Sequence, residues 1–545
     1  MRSRVCLPLI AVAYCFVVST IVGDDQQPIE GEPYTLHGKR LVFTNWHFVR
    51  QGGVGWVNDA GDRIGLYDDA EPGALRFQPS NGTMPRGIRL MARQAEQRGP
   101  IIHNEMPWEA WDVVIVSMLQ DGDTYKAWGR TAPSKQHAPW GKHIPCYFES
   151  ADGYHWQRPK LGIREFNGSK ANNLLGEDAF HTIKGTVFID PIAPSQERYK
   201  LITMDSISKE EFEIFKSKYP DRWMRRSLRR DGRVGAVLGF VSADGLSWRP
   251  LGEPLAIEMS DTHVICDYDI LRQEYVAYFR SWLVGEQAPG FNEPHEWSDV
   301  GRRCISHTAS DTFGQFPISD ICLIPGPELA PHDVLYQNTY CTIPGAPEQR
   351  LMFPDIWHLN NDTTDIGIAS SPDGRIWNFL PGSPVIHTRE VGKFDGGCIF
   401  MQPRLIETAN GDFAIAYMGF NVPHKYPRGS YKQFTGYAVW PHGRIIALEA
   451  EDRGEFETVS VVASGSKVYI NAVTTLAGEI RVAVRKHRAE EIEGRGFDEC
   501  IPIVGDHPRT LIRWQHADDL GIEPGEAVAL KFKMDQAAIY GLEFE

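Results

Sequence analysis

The sequence predicts an all-β chain, a five-bladed β-propeller followed by a C-terminal β-sandwich. Three observations predict it: a strand motif that returns five times, an Asp-Gly hairpin that follows several of the copies, and a change of strand pattern after about Arg453.

The repeated strand is a turn-rich, mostly acidic segment that runs into a short apolar or aromatic stretch. Its copies are Asp123–Arg130 (DTYKAWGR), Glu197–Asp205 (ERYKLITMD), Gln273–Ser281 (QEYVAYFRS), Glu348–Asp355 (EQRLMFPD) and Gly411–Gly419 (GDFAIAYMG). Aligned on Tyr125, Tyr199, Tyr275, Arg350 and Phe413, they are spaced by 74, 76, 75 and 63 residues. Self-similarity at a fixed period is the signature of a repeat architecture. A period of this length suits one four-stranded blade with its loops.

The hairpin reads SADGYHW at Ser150–Trp156, SADGLSW at Ser242–Trp248 and SPDGRIW at Ser371–Trp377, with a degraded copy, SDTFGQF, at Ser310–Phe316. Asp-Gly between two strands is a strong hairpin signal, because glycine takes positive φ without a Cβ penalty. The Trp three residues after the Gly is expected to pack between sheets. Asp152, Asp244 and Asp373 are therefore read as structural.

Around this repeat the chain divides into four parts. Residues 1–23 form a signal peptide: basic residues, an apolar run of 18 from Val5 to Val22, then Asp24-Asp25. A run of that length could also stay as an anchor. Residues 24–106 are expected to close or shield the ring, 107–453 to form the propeller and 454–545 the sandwich. The Lys-, Glu- and Arg-rich stretch between Ser206 and Arg233 reads as a charged helical insertion on one rim. Secretion or a periplasmic location follows from the signal.

Composition narrows the partners. A net charge of −15 argues against a nucleic-acid groove. The run Arg222, Arg225, Arg226, Arg229 and Arg230 reads as a solvated helix face. Beyond the signal no stretch is apolar enough to span a membrane. Seven cysteines lie outside the signal, scattered and without a CxxC pair, so neither a disulfide framework nor zinc is indicated. Aromatic residues make up 11%, and exposed rings suit sugar faces.

In a propeller the innermost strands line a central channel, and functional residues sit where those strands begin. Upstream of the five copies stand Trp108-Glu109-Ala110-Trp111-Asp112, Glu177-Asp178, Ser260-Asp261-Thr262-His263, His332-Asp333 and Phe394-Asp395. A carboxylate at every predicted entrance suits oxygen-ligand metal binding or paired acid/base work on a glycosidic bond. An Asp before a strand can also simply cap a turn. The expected catalytic set is Asp261, Glu109, Asp395 and Asp333, with Asp261 as one member of an acid/base pair and Glu109 or Asp395 as the other. Arg280, His263, His332 and Trp108 are expected to bind substrate, Arg280 by gripping a sugar carboxylate or sulfate. No cofactor is predicted. A channel Ca²⁺ stays open as an alternative, although no DxDxDG-type loop supports it.

From about Pro107 to Glu545 the chain resembles secreted bacterial proteins related to the five-bladed glycoside hydrolases of families 32 and 43. The resembling segments are ESADGYHWQRPKLGIREFNGSKANN (Glu149–Asn173), SDTHVICDYDILRQEYVAYFRS (Ser260–Ser281) and FDECIPIVGD (Phe497–Asp506). The resemblance implies a secreted glycoside hydrolase acting through three carboxylates from different blades. The families' WMNDPNG signature is absent, their Glu-Cys pair occurs only as Glu499-Cys500, and Asp190-Pro191 follows Ile189 rather than Arg. Two other functions compete: a carbohydrate-binding propeller without catalysis, and a cell-surface interaction propeller.

Overall fold

The computed structural model describes residues 31–52, 85–137, 142–224, 227–228, 232–258, 260, 263–283, 301–426, 431–487, 489 and 491–545, with the backbone of two short strands at 56–57 and 63–64. The expected signal segment, Asp261 and four of the five arginines of the 222–230 run lie outside the described residues.

The chain is nearly all β. Among the described residues the one α-helix is Lys209–Lys218, inside the expected charged insertion. Ser208 caps it: Ser208 Oγ accepts from Glu211 N at 3.1 Å, and Glu211 Oε2 accepts from Ser208 N at 2.8 Å. This is a capping box that satisfies two helix-end donors at once. Phe212 and Phe215 bury the inward face.

Each copy of the repeated strand lies inside its own antiparallel unit. The first pairs Asp112–Asp121, Thr124–Ala132 and Ile144–Ser150. In the second, Thr186–Ile189, Tyr199–Ile207, Val234–Ser242 and Arg249–Pro250 follow one another across the sheet. The third runs Ile265–Asp269, Glu274–Leu283, Arg302–Ser310 and Asp320–Leu323. The fourth is two four-stranded sheets in the same order. One holds Asp333–Leu335, Asp355–His358, Thr363–Ile366 and Ile386–His387. The other holds Tyr340–Ile343, Ala346–Met352, Ala369–Ser371 and Asn378–Phe379. The fifth unit orders Cys398–Met401, Phe413–Phe420, Gln433–Trp440 and then Glu96–Arg98. Its last strand thus comes from the N-terminal segment, with Tyr437 opposite Arg98.

The leading strands explain this layering. Asp112–Asp121 is buried along eight consecutive positions, as expected of a continuous apolar run covered on both faces. It packs on Thr186–Ile189, which packs on Ile265–Asp269. Arg302–Ser310 packs on Asp333–Leu335, and Thr363–Ile366 on Cys398–Met401. Phe413–Phe420 and Gln433–Trp440 return to Asp112–Asp121. The contacts form a closed cycle.

Two sets of hydrogen bonds repeat around that cycle. The aligned position of four of the five copies reaches the unit before it: Tyr125 Oη donates to the Glu407 carbonyl at 2.6 Å, Tyr199 to Asp121, Tyr275 to Asp190 at 2.7 Å, and Arg350 Nη2 to Asp269 at 2.7 Å. The Asp-Gly hairpins form the second set. In all three, the leading Ser Oγ donates to Asp Oδ1 at 2.9–3.0 Å and accepts from the Gly N–H at 2.8–2.9 Å. The Gly carbonyls accept from the preceding units: Gly153 from Tyr437 at 2.7 Å, Gly245 from Trp128 at 2.6 Å and Gly374 from Tyr278 at 2.7 Å. Gly245 has φ +79°, and a Cβ there would lie 2.7 Å from Trp128, so no other residue fits. Trp156, Trp248 and Trp377 are all buried.

The C-terminal sheet is built on long strands. Ile446–Glu457, Val468–Lys486 and Ala527–Phe544 are 12, 19 and 18 residues, and the first of them runs across the expected boundary at 453–454. Register shifts between Thr474 and Glu479 and between Ala450 and Arg453 interrupt the ladders. Tyr34–Thr35, Arg40–Leu41 and Arg89–Ala92 add strands to this sheet. No helix among the described residues is long and apolar enough to cross a membrane.

Candidate functional site

The register of the repeated strand sets one position apart. Five residues after the aligned position stand Arg130, Met204, Arg280, Asp355 and Met418, and all five are buried. Burying a cation or a carboxylate is costly unless something engages it, so three ionisable groups at equivalent buried positions need a reason.

Arg130 donates from Nη1 to the Ile183 carbonyl at 2.9 Å, and from Nη2 to Gln433 Oε1 at 2.5 Å and Met418 Sδ at 3.3 Å. It thus reaches the second and fifth units. Asp112, which opens the first leading strand, is 1% exposed. Neither of its carboxylate oxygens accepts a hydrogen bond among the described residues, while His143 Nε2 lies 3.9 Å from Oδ2. Burial pushes the His143 imidazole down and Asp112 pulls it back up. His263, from the third unit, is buried with Nδ1 unpartnered among the described residues. Burial, and then the charge of Arg130, push it down to about 4, so it is neutral at physiological pH.

Arg280 is held by rings. Its guanidinium lies 4.6 Å from the Tyr336 ring centroid and 5.1 Å from that of Trp282. Burial pulls it down to about 10, helped by Arg303 and opposed by Tyr336. Ile265 pairs with Tyr278, and extending that register sets His263 opposite Arg280. Ser260 Oγ accepts from Arg280 N at 3.2 Å. Arg303 stands over Trp357 at 5.0 Å. Asp355 accepts from Met401 N and Gln337 Nε2, and burial raises it to about 8.

The expected carboxylates are engaged elsewhere. Glu109 accepts Arg158 Nε at 2.7 Å and Nη2 at 3.1 Å, together with the backbone N–H groups of Glu105 and Met106. Asp333 pairs with His358 Nδ1 at 2.7 Å and accepts from Ala330 N. Asp395 holds Arg389 at 2.7 Å and Tyr417 Oη at 2.6 Å. No hydrogen bond or ion pair joins any two of these three among the described residues. His332 is half-exposed, 3.6 Å from Asp333. Trp108 donates to Asn173 Oδ1 at 3.0 Å and lies edge-on to Phe166 at 5.9 Å, on the core of the first unit. Of the expected set, His263 lies within reach of the Arg130 charge and opposite Arg280 in the extended register; Asp112, Arg130 and His143, which meet at the first unit, were not in that set. The repeat itself holds the signal for Arg130, which shares its register with Arg280.

Among the described residues no group of three or more His, Cys, Asp or Glu is placed to hold a metal ion.

No family model and no curated protein match the chain. Solved structures with a similar course include an N-acetylgalactosamine deacetylase from F. plautii in complex with blood group B trisaccharide, at 12% identity and TM-score 0.38, covering 65% of this chain and 95% of that one. An α-L-arabinofuranosidase from Podospora anserina aligns at 11% identity and TM-score 0.37, over 64% of this chain and 96% of its own. A GH32 β-fructofuranosidase from Bombyx mori aligns at 10% identity and TM-score 0.34, over 84% and 94%. At TM-scores this low the likenesses carry no argument about chemistry here.

Proposed function

We propose that the five units are the blades of a propeller closed by Glu96–Arg98, that the C-terminal strands form a sandwich, and that the mouth of the propeller is a secreted, glycoside hydrolase-like site acting on a carbohydrate. The closed cycle of strand contacts and the repeated inter-unit hydrogen bonds support the architecture. One observation carries the function: Asp112 is a buried carboxylate without a hydrogen-bond donor among the described residues, at the start of a leading strand, between His143 and Arg130. A carboxylate kept this way is costly in a merely structural role and suited to acting on a bound substrate.

In this reading Asp112 is one member of an acid/base pair, positioned as nucleophile or as base toward water. Asp261, two residues before His263, is the proposed second carboxylate. Glycosidic cleavage needs one protonated and one ionised carboxyl. A separation of about 5–5.5 Å would give retention and roughly 6.5–9.5 Å inversion. Neutral His263 is fit to donate to or accept from a sugar hydroxyl. Trp282 and Tyr336 supply aromatic surface beside Arg280.

The test is a panel of polysaccharides and aryl glycosides run on wild type and Asp261→Asn. Turnover that falls by at least about 10² in the variant supports the pair. A folded wild type that turns over nothing on the panel, yet binds a glycan through the same mouth, would favour a binding propeller instead.

A further inference from the structure

A cavity of about 470 Å³ opens where the N-terminal segment meets the third and fourth units. Its walls include Tyr34 and His47 of that segment, Leu271 and Gln273 of a turn in the third unit, and Glu348 and Gln349 of the fourth. The volume falls within the range of small-molecule pockets, about 300–1,000 Å³. Gln273 precedes Arg280 by seven residues, about 23 Å along an extended strand, so this cavity is not the proposed mouth.

Two polar side chains in the walls have hydrogen-bonding capacity that the fold leaves unused. Gln349 is 2% exposed. Its Oε1 accepts from Thr44 Oγ1 at 2.7 Å, which fixes the amide, while Nε2 carries no hydrogen bond among the described residues. The Glu348 side chain is 9% exposed. Its Oε1 accepts from the His37 backbone N–H, whereas Oε2 has no donor among the described residues. Leaving such groups short of partners costs free energy that a bound ligand can recover. Beside them Tyr34, His47 and Phe48 meet edge to face, with ring centroids 4.9–5.8 Å apart.

We infer that this cavity is a second carbohydrate site, one that holds a neutral oligosaccharide without cleaving it. A sugar hydroxyl both donates and accepts, which suits the Gln349 amide N–H and the Glu348 carboxylate together. The C–H face of a sugar packs on rings such as Tyr34. An anionic group finds no spare guanidinium, because Arg350 gives Nε and Nη2 to Asp269 and Nη1 to the Pro372 carbonyl. Glu348 is the one carboxylate among the described lining residues, and hydrolysis needs two.

The experiment uses the full-length chain and calorimetry with cellohexaose, xylohexaose, maltohexaose and arabinohexaose, beside pentagalacturonate as an anionic control. At least one neutral hexasaccharide should bind, in preference to the control. Gln349→Met and Glu348→Gln should each weaken that binding by at least about tenfold. Thr35→Trp, at an exposed position on the cavity wall, should block it with the thermal midpoint unchanged. Asp112→Asn should leave it as in wild type. The inference is overturned if no neutral hexasaccharide binds, if pentagalacturonate binds more tightly than all of them, or if folded Gln349→Met and Thr35→Trp bind as wild type does. Binding lost in Asp112→Asn and kept in Thr35→Trp would place the glycan at the mouth alone, sinking the second site and sustaining the first. Binding that depends on Gln349, in a chain without Asp112-dependent turnover, would do the reverse.

Discussion

Tyr275 of the third unit donates its hydroxyl to Asp190 of the second at 2.7 Å. Tyr199 and Arg350 make the corresponding bonds one unit earlier and one unit later. The aligned position of the repeat is thus a tie between neighbours. Asp190 is buried, and it also accepts from Ile192 N at 3.1 Å and has Lys200 at 3.6 Å. Tyr275→Phe should therefore cost about 1–3 kcal/mol, the usual penalty for leaving a buried acceptor short of a donor. Chemical denaturation of the folded variant checks it, and an unchanged midpoint would mean the tie does not bear on stability.

Trp248 closes the second Asp-Gly hairpin and lies in the core shared by Trp128, Tyr147 and Tyr199 of the first and second units. Its Nε1 donates to the Gly245 carbonyl at 3.1 Å. Trp248→Ala should cost about 3–5 kcal/mol through the cavity it leaves, with lower secretion yield. A thermal midpoint equal to wild type would contradict the packing role.

His358 carries a pH dependence. Asp365, first, and Asp333 raise it to about 9 against burial. Its folded value lies above the ordinary 6.5 of an unfolded histidine. Its contribution is therefore fully present below about 6.5 and is lost as pH rises through about 9. The difference in thermal midpoint between wild type and His358→Gln should shrink from pH 6 toward pH 10. A difference that is flat across that range would contradict the assignment.

His263 runs in the opposite direction. Held down at about 4 by burial and by Arg130, it stays neutral in the folded chain where an unfolded histidine would protonate. Its burial therefore costs stability as pH falls from about 6.5 toward 4. His263→Gln should flatten the acid limb of the stability profile, and a limb of unchanged slope would count against it.

Much of this was legible in the sequence, for physical reasons that differ from place to place. The repeat and the Asp-Gly hairpins are local: Ser, Asp and Gly within four residues fix the turn, and Trp248 follows at a set distance. The capping box at Ser208 is local as well. The sheet partners of Arg89–Ala92 and Glu96–Arg98 are not, because each pairs with a strand more than 300 residues away and neither has a strong pattern of its own. Among the carboxylates that open the leading strands, charge alone does not tell which are engaged by the fold. Glu109 and Asp333 stand where a turn offers backbone donors and a basic residue reaches in, Arg158 for one and His358 for the other. Asp112, three residues after Glu109, accepts no hydrogen bond among the described residues, and its basic neighbour His143 stands off at 3.9 Å. That distinction depends on Arg158, 49 residues from Glu109, and only folding supplies it.

The central claim is that Asp112 acts on substrate, and turnover by Asp112→Asn tests it most directly. The near-isosteric amide removes the charge and leaves the volume, so the thermal midpoint should stay within a few degrees of wild type or rise. Turnover of any glycan that wild type cleaves should fall by at least about 10². A folded Asp112→Asn that keeps wild-type turnover would contradict the account.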